Sequence, residues 1–261
     1  MAFVLLASGC TTGGRQVTAT KVTTLSQARQ NYLVGLAALK EADYIRASAA
    51  LRKVARGPSY IVYTPLARLR LADALMFEER FQEAAESYRA FTQTAVGDPN
   101  LHYALFRLAQ ATVKSMPADF FLIPPADRRD QRPVRAAIRS LNRFLSRFPN
   151  SPFVVEGLRL LDQMVAIASS FEMEVANFYI TRDRPKGAVN RLRRLMEDIP
   201  RTASREETRL ALASALAAAG DKEGLARECN AYRDRFPGGR MMGTMNELCV
   251  EADLPAPATA P

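Results

Sequence analysis

A small residue is followed twelve positions later by a second small or apolar residue, with large apolar residues four and seven positions beyond that, and this unit recurs along most of the chain. The first occurrence is Gly35, then Ala47, Leu51 and Val54, with Pro58 near its end. The second is Ala72, then Ala84, Tyr88 and Phe91. Ala109, Ala137, Leu141, Phe144 and Pro149 form the third; Ala176, Tyr179, Ala188, Leu192, Leu195 and Pro200 the fourth; Ala213, Leu216, Leu225, Cys229, Tyr232 and Pro237 the fifth. Such a unit reads as two helices. The small residue on the first lets the second pack close, and the apolar residues at four and seven lie on one helix face. One pair cannot bury its own apolar face, whereas stacked pairs can, so the recurrence constrains the chain to a solenoid.

The period is that of tetratricopeptide repeats, and the expected fold is all-α, a right-handed superhelix of about five helix pairs over residues 25–250. Composition agrees: Ala, Leu and Arg, all good helix formers, are abundant, and tryptophan is absent. The last three units end alike, with twelve residues from Ala137 to Pro149, Ala188 to Pro200 and Leu225 to Pro237. Proline suits that place because it cannot continue a helix and restricts the residue before it. Two departures interrupt the regularity. Ala109 and Ala137 are 28 residues apart, an insertion of 16 that falls within the stretch from Met116 to Pro133, with an apolar centre at Phe120 to Ile123. Its prolines bar a continuous helix, so it is expected to fold back on the solenoid or to dock on a partner. Residues Pro152 to Ser170 are expected to form an extra amphipathic helix between the third and fourth repeats, lengthening the array.

The N-terminus sets the compartment. Met1 to Ala7 is apolar, and Ala7-Ser8-Gly9-Cys10 follows at once. Small residues directly before a cysteine are what the bacterial lipoprotein signal peptidase accepts. Residues 1–9 are therefore expected to be a signal peptide, truncated or annotated from a late start because the run is short and has no basic residue before it. Cys10 becomes the lipidated N-terminus, and residues 10–24, rich in Thr and Gly, a flexible tether. No segment has the ~18 apolar residues a membrane-spanning helix needs. Residues 251–261, rich in Pro and Ala, are expected to be a disordered tail. Cys229 and Cys249 either pair in an oxidising periplasm or stay as buried thiols.

Three stretches resemble the BamD (YfiO/ComL) family of outer-membrane assembly lipoproteins. They are Asp98-Pro-Asn-Leu-His-Tyr-Ala-Leu-Phe-Arg-Leu-Ala109, the insertion from Phe120-Phe121 through Asp127-Arg128-Arg129-Asp130 to Arg147-Phe-Pro-Asn-Ser151, and Phe171-Glu-Met-Glu-Val-Ala-Asn-Phe-Tyr179 with Ala188-Val-Asn-Arg191. The chain departs from the family at His102, where Asp is common, at Asp98, where His is common, and in its thin aromatic content in the first repeat. The resemblance implies a non-catalytic scaffold, lipid-anchored on the periplasmic face of the outer membrane. Its partners would be the POTRA domains of a BamA-like Omp85 protein, other assembly-machine lipoproteins, and unfolded outer membrane protein clients. It implies that the C-terminal repeats meet the last POTRA domain, and by position in the match Arg191 is the candidate contact. A planar, permanently charged guanidinium suits a bidentate carboxylate partner. A rival reading is a tetratricopeptide lipoprotein adaptor for peptidoglycan hydrolases or cell division.

Nothing in the sequence assembles a catalytic or metal centre. His102 is the one histidine, so a paired-histidine metal site is excluded; no metal and no cofactor is expected. His102 itself reads as a half-exposed helix residue. With 36 Lys and Arg against 27 Asp and Glu, the chain carries a net charge of +9, which favours acidic partners. Nucleic acid is not expected in the predicted compartment. Arg135, Arg139, Arg143 and Arg147 recur every four residues, a ridge beside the core-facing Ala137, Leu141 and Phe144. That ridge is either a solvated face or a docking surface for acidic protein or lipid headgroups. Tyr32, Tyr60 and Tyr63 either line the inner groove of the first repeats or pack within it.

Overall fold

The computed structural model describes residues 25–58, 62–116 and 130–251. Eleven α-helices account for nearly all of them, with no strand among the described residues. In order these are α1 (Leu25–Lys40), α2 (Tyr44–Ala55), α3 (Tyr63–Phe77), α4 (Phe81–Thr94), α5 (Leu101–Lys114), α6 (Arg132–Arg147), α7 (Val154–Thr181), α8 (Pro185–Asp198), α9 (Glu206–Ala218), α10 (Lys222–Arg235) and α11 (Met242–Glu251). The first ten make five pairs, and α11 closes the end. Successive first helices touch one another (α1 with α3, α5 with α7, α7 with α9), so they form the inner layer and the second helices the outer one. The insertion's Phe120 to Ile123, Tyr60, the segments 1–9 and 10–24, and residues 252–261 lie outside the described residues.

The repeat anchors are the core. Ala47, Leu51, Ala72, Ala84, Tyr88, Phe91, Ala109, Ala137, Leu141, Phe144, Ala188, Leu192, Ala213, Leu216, Cys229 and Tyr232 are all fully buried. The small positions are required by distance: a Cβ on Gly35 would sit 2.5 Å from Leu51 Cγ, and one on Gly187 would sit 2.8 Å from the Tyr179 ring. Three apolar clusters result, and the first two are linked because α5 sends Ala104, Leu108 and Ala111 into the first and Leu105, Phe106 and Ala109 into the second.

Within four of the pairs the turn is one motif repeated. Ala42, Glu79, Asp183 and Gly220, each five residues before the second-helix anchor, have φ of 57°, 59°, 56° and 67°. At each, the next residue's N–H reaches back five positions (Asp43 to Ala38 O, Arg80 to Leu75 O, Arg184 to Tyr179 O, Asp221 to Leu216 O). This satisfies the last carbonyls of the first helix, as in a Schellman cap. Only one of the four is glycine. Ala42 therefore holds a left-handed conformation that costs a Cβ-bearing residue about 1–2 kcal/mol. Ala42→Gly is expected to stabilise the first pair by about 0.5–1 kcal/mol, after the larger unfolded-state entropy of glycine is subtracted. Urea denaturation of the variant beside the parent measures it, and an unchanged or lower midpoint would contradict the assignment.

The helix ends before Pro149, Pro200 and Pro237 are equally uniform: α6, α8 and α10 each stop two residues earlier, at Arg147, Asp198 and Arg235. One expectation is corrected. The segment from Pro152 does not make a separate helix that lengthens the array. It continues through Ser170 into the first helix of the fourth pair as the single 28-residue α7. No glycine or proline lies between Leu158 and Thr181 to break it.

Candidate docking surfaces

Where α6, α7 and α8 meet, a buried carboxylate gathers the arginines that the sequence singled out. Glu172 on α7 is 5% exposed. Arg135 Nη2 of α6 lies 3.0 Å from its Oε1, and Arg191 Nε of α8 lies 3.0 Å from its Oε2. Arg135 also reaches Asp198 Oδ2 at 3.3 Å, and Arg194 stands 3.9 Å from the same oxygen. Burying a lone carboxylate is costly, so the two guanidinium groups neutralise it from opposite sides. The Arg191 contact is an ion pair without hydrogen-bond alignment, and the side chain stays 42% exposed. The terminal guanidinium nitrogens of Arg191 have no other partner among the described residues. Arg135 belongs to this internal network, whereas Arg139 and Arg143 are exposed, their guanidinium groups with no ion pair or hydrogen bond among the described residues.

Where α7 turns into α8 is a cleft of about 530 Å³ lined by Val175, Phe178, Tyr179, Arg182 and Arg184. Phe178 is 56% exposed, with the Arg182 guanidinium 5.0 Å over its ring. An exposed aromatic flanked by arginine is the composition of a protein-interface anchor. Sequence reading did not single out Glu172, Phe178 or Arg182 as site residues. The available signal was an acid on the core-facing side of α7, and a phenylalanine and an arginine four residues apart at its end.

A second polar cluster sits on the inner layer at α3 and α5. Asp73, 7% exposed, accepts from Tyr88 Oη (2.7 Å), Tyr103 Oη (2.8 Å) and Arg70 Nη1 (2.9 Å). Arg107 donates to the same Tyr88 oxygen (3.1 Å) and to Gln110 Oε1 (2.8 Å). Burial, reinforced by the Asp73 charge, pushes the Tyr103 phenol up to about 12 and the Tyr88 phenol further still, so both remain donors at neutral pH. Tyr32 and Tyr63 lie tilted against each other at 5.5 Å between ring centroids and pack against the first core cluster. They are packing residues at least as much as groove residues.

His102 is half-buried, its ring stacked 5.8 Å from Phe153 and its Nδ1 3.0 Å from Ser151 Oγ. The adjoining cleft of about 350 Å³ is lined by His102 and residues Arg147 to Pro152, with no carboxylate among them. That set fixes the α6–α7 connection and offers no nucleophile–base–acid arrangement. At the far end Cys229 and Cys249 are joined by a disulfide that ties α11 to α10. Glu206 secures the same corner by accepting from Tyr232 Oη (2.8 Å) and from the Met241 amide (3.0 Å). Cys10 lies outside the described residues.

Comparison with known proteins gives one consistent result. The profile of the YfiO family, described as an outer membrane lipoprotein, matches residues 25–231. Similar curated proteins include the outer membrane protein assembly factor BamD of Haemophilus influenzae, 25% identical over 205 residues (77% of this chain, 76% of that one). BamD of Vibrio cholerae is 32% identical over 84 residues, 32% of this chain and 34% of that one. Among solved structures, the tetratricopeptide domain of P58(IPK) is similar at 13% identity with a TM-score of 0.43, covering 87% of this chain and 55% of that one.

Proposed function

Because the chain belongs to the YfiO family of outer membrane lipoproteins, we propose that it is a non-catalytic scaffold of β-barrel assembly, held by an acylated Cys10 on the periplasmic face of the outer membrane. The observation that carries the reading is the family match across nearly all of the repeat array, 25–231, in relatives that bear the name outer membrane protein assembly factor. In this reading the α7–α8 seam, with Arg191, Phe178 and Arg182, meets the last POTRA domain of a BamA-like Omp85 protein. The inner layer of the first repeats receives unfolded outer membrane protein clients, and other assembly lipoproteins complete the complex. Two features support the seam. Arg191 is positioned by Glu172 through Nε, which leaves its terminal nitrogens to a partner carboxylate. Phe178 supplies the apolar anchor that such an interface needs. The mechanism is positioning: anchoring on the membrane raises the local concentration of scaffold and barrel without any new contact.

Mass spectrometry of proteins that co-purify with this chain from gently solubilised outer membranes tests the reading. Recovery of an Omp85-type protein with POTRA domains is expected. Phe178→Ala and Arg191→Gln are each expected to reduce that recovery at least about tenfold, the loss of an interface anchor. Phe178→Ala touches no internal ion pair, so it separates docking from folding. Recovery unchanged by both variants would discard the seam and keep the scaffold. A preparation dominated by cell-wall hydrolases, with no such barrel, would replace the assembly reading by the adaptor one.

A further inference from the structure

The α6 helix carries more positive charge than its place in the core requires. Its sixteen residues include Arg132, Arg135, Arg139, Arg143 and Arg147 and no acidic residue. At 100° per residue all five fall within about 120° of the helix circumference, along a length of about 24 Å. The opposite face is the buried one, with Val134, Ala137, Ile138, Leu141 and Phe144. Arg135 is drawn into the Glu172 network, Arg132 pairs with Asp130, and Arg147 lies over the Phe148 ring and reaches Val96 O at 3.5 Å. Arg139 and Arg143, at the middle of the stripe, are exposed, and their guanidinium groups have no ion pair or hydrogen bond among the described residues.

The kind of partner follows from what accompanies the charge. A protein interface has an apolar or aromatic centre that carries most of its energy. The α7–α8 seam has one in Phe178; none of the large exposed hydrophobic side chains lies on α6. A charged stripe without an apolar centre gains little from a shaped protein surface. A fluid array of phosphate-bearing headgroups can instead rearrange to meet each guanidinium in turn, and each arginine held at such a surface contributes about 1 kcal/mol. We propose that the outer face of α6, centred on Arg139 and Arg143, is a docking surface for the anionic headgroups of a phospholipid membrane. The interaction is peripheral, since nothing on the stripe can insert among acyl chains. It orients the solenoid on the bilayer independently of any acyl chain.

The test uses the full chain with Cys10→Ser, so that no acyl anchor contributes. Co-sedimentation is measured with vesicles of neutral phosphatidylcholine and with vesicles that also contain anionic phosphatidylglycerol. Binding to the anionic vesicles alone is expected, weakening with salt as exposed charges are screened. Arg139→Ser with Arg143→Ser is expected to lower the partition coefficient roughly thirtyfold, about 1 kcal/mol for each arginine. Arg139→Lys with Arg143→Lys should retain most of it. Both side chains are exposed and without a partner among the described residues, so thermal melts of the variants should match the parent. Equal binding to neutral vesicles, no binding to either kind, or binding untouched by the double serine variant overturns the proposal. Loss of an acidic protein from membrane extracts with the double serine variant, without loss of vesicle binding, would assign the stripe to a protein instead.

Discussion

Replacing Asp73 with alanine is expected to lower the stability of the N-terminal half by about 3–4 kcal/mol, the cost of breaking a buried charge network. The carboxylate is nearly buried and accepts from two phenols and a guanidinium on α3, α4 and α5. Its removal leaves the fully buried Tyr88 hydroxyl without an acceptor for its hydrogen and Arg70 without its ion-pair partner. Asparagine can still accept one phenolic hydrogen bond, so Asp73→Asn should lose about half as much, consistent with the extra strength of hydrogen bonds to a charged group. Urea denaturation followed by circular dichroism gives the global loss. Hydrogen exchange places it: amides of α3 to α5 should lose protection while those of α9 and α10 do not, because a solenoid's stability is a sum of local terms. A loss below about 1 kcal/mol would mean that the network satisfies polar groups without contributing to stability.

Breaking the Cys229–Cys249 bond should act at the opposite end and by a different route. The bond closes a loop with a sequence separation of 20. Releasing a loop of that size into the unfolded ensemble costs about 3 kcal/mol. The cysteines are fully buried, so Cys229→Ala with Cys249→Ala also removes sulfur from the core, whereas reduction does not. Comparing the two separates cross-link from packing. In both cases α11 should exchange its amides far faster, since the packing of Met242, Met245 and Leu248 and the Arg233–Asn246 hydrogen bonds would be left to hold its ten residues. Retained protection in α11 after reduction would show that packing alone closes the solenoid.

The positions that determine repeat packing were readable because they are local. Gly35 with Leu51, or Ala188 with Leu192 and Leu195, lie within one helix pair, and the spacing that brings them together is a property of helix geometry. The prolines at 149, 200 and 237 marked helix ends to within two residues for the same reason. What the sequence hid was long-range or lacked a periodic signature. The α11 helix shows little amphipathic pattern, since it is held by Cys249 and Met245 rather than by a continuous apolar stripe. The role of Arg135 could not be separated from that of Arg139, four residues on, because the difference is a glutamate 37 positions away. Arg191 was named from a motif, but its pairing with Glu172 depends on how α7 and α8 lie side by side. The left-handed residue at 42 carried no signal at all, being alanine where glycine is the usual choice.

The uninterrupted α7 has a mechanical meaning. Its first half, from Gly157 to Ala168, is packed in the second core cluster or against α6, and Met173, Ala176 and Tyr179 are packed in the third. It is therefore a shaft about 42 Å long at 1.5 Å per residue, shared by two gears. A shaft transmits angle as well as distance. Adding a single residue near its midpoint would turn everything beyond it by about 100° and advance it by about 1.5 Å. The bearing of the Arg191 face relative to the α6 stripe thus depends on the residue count of one helix as well as on the Glu172 network that both share. Load applied at either face would reach the other as whole-body rotation, with no joint between them to absorb it.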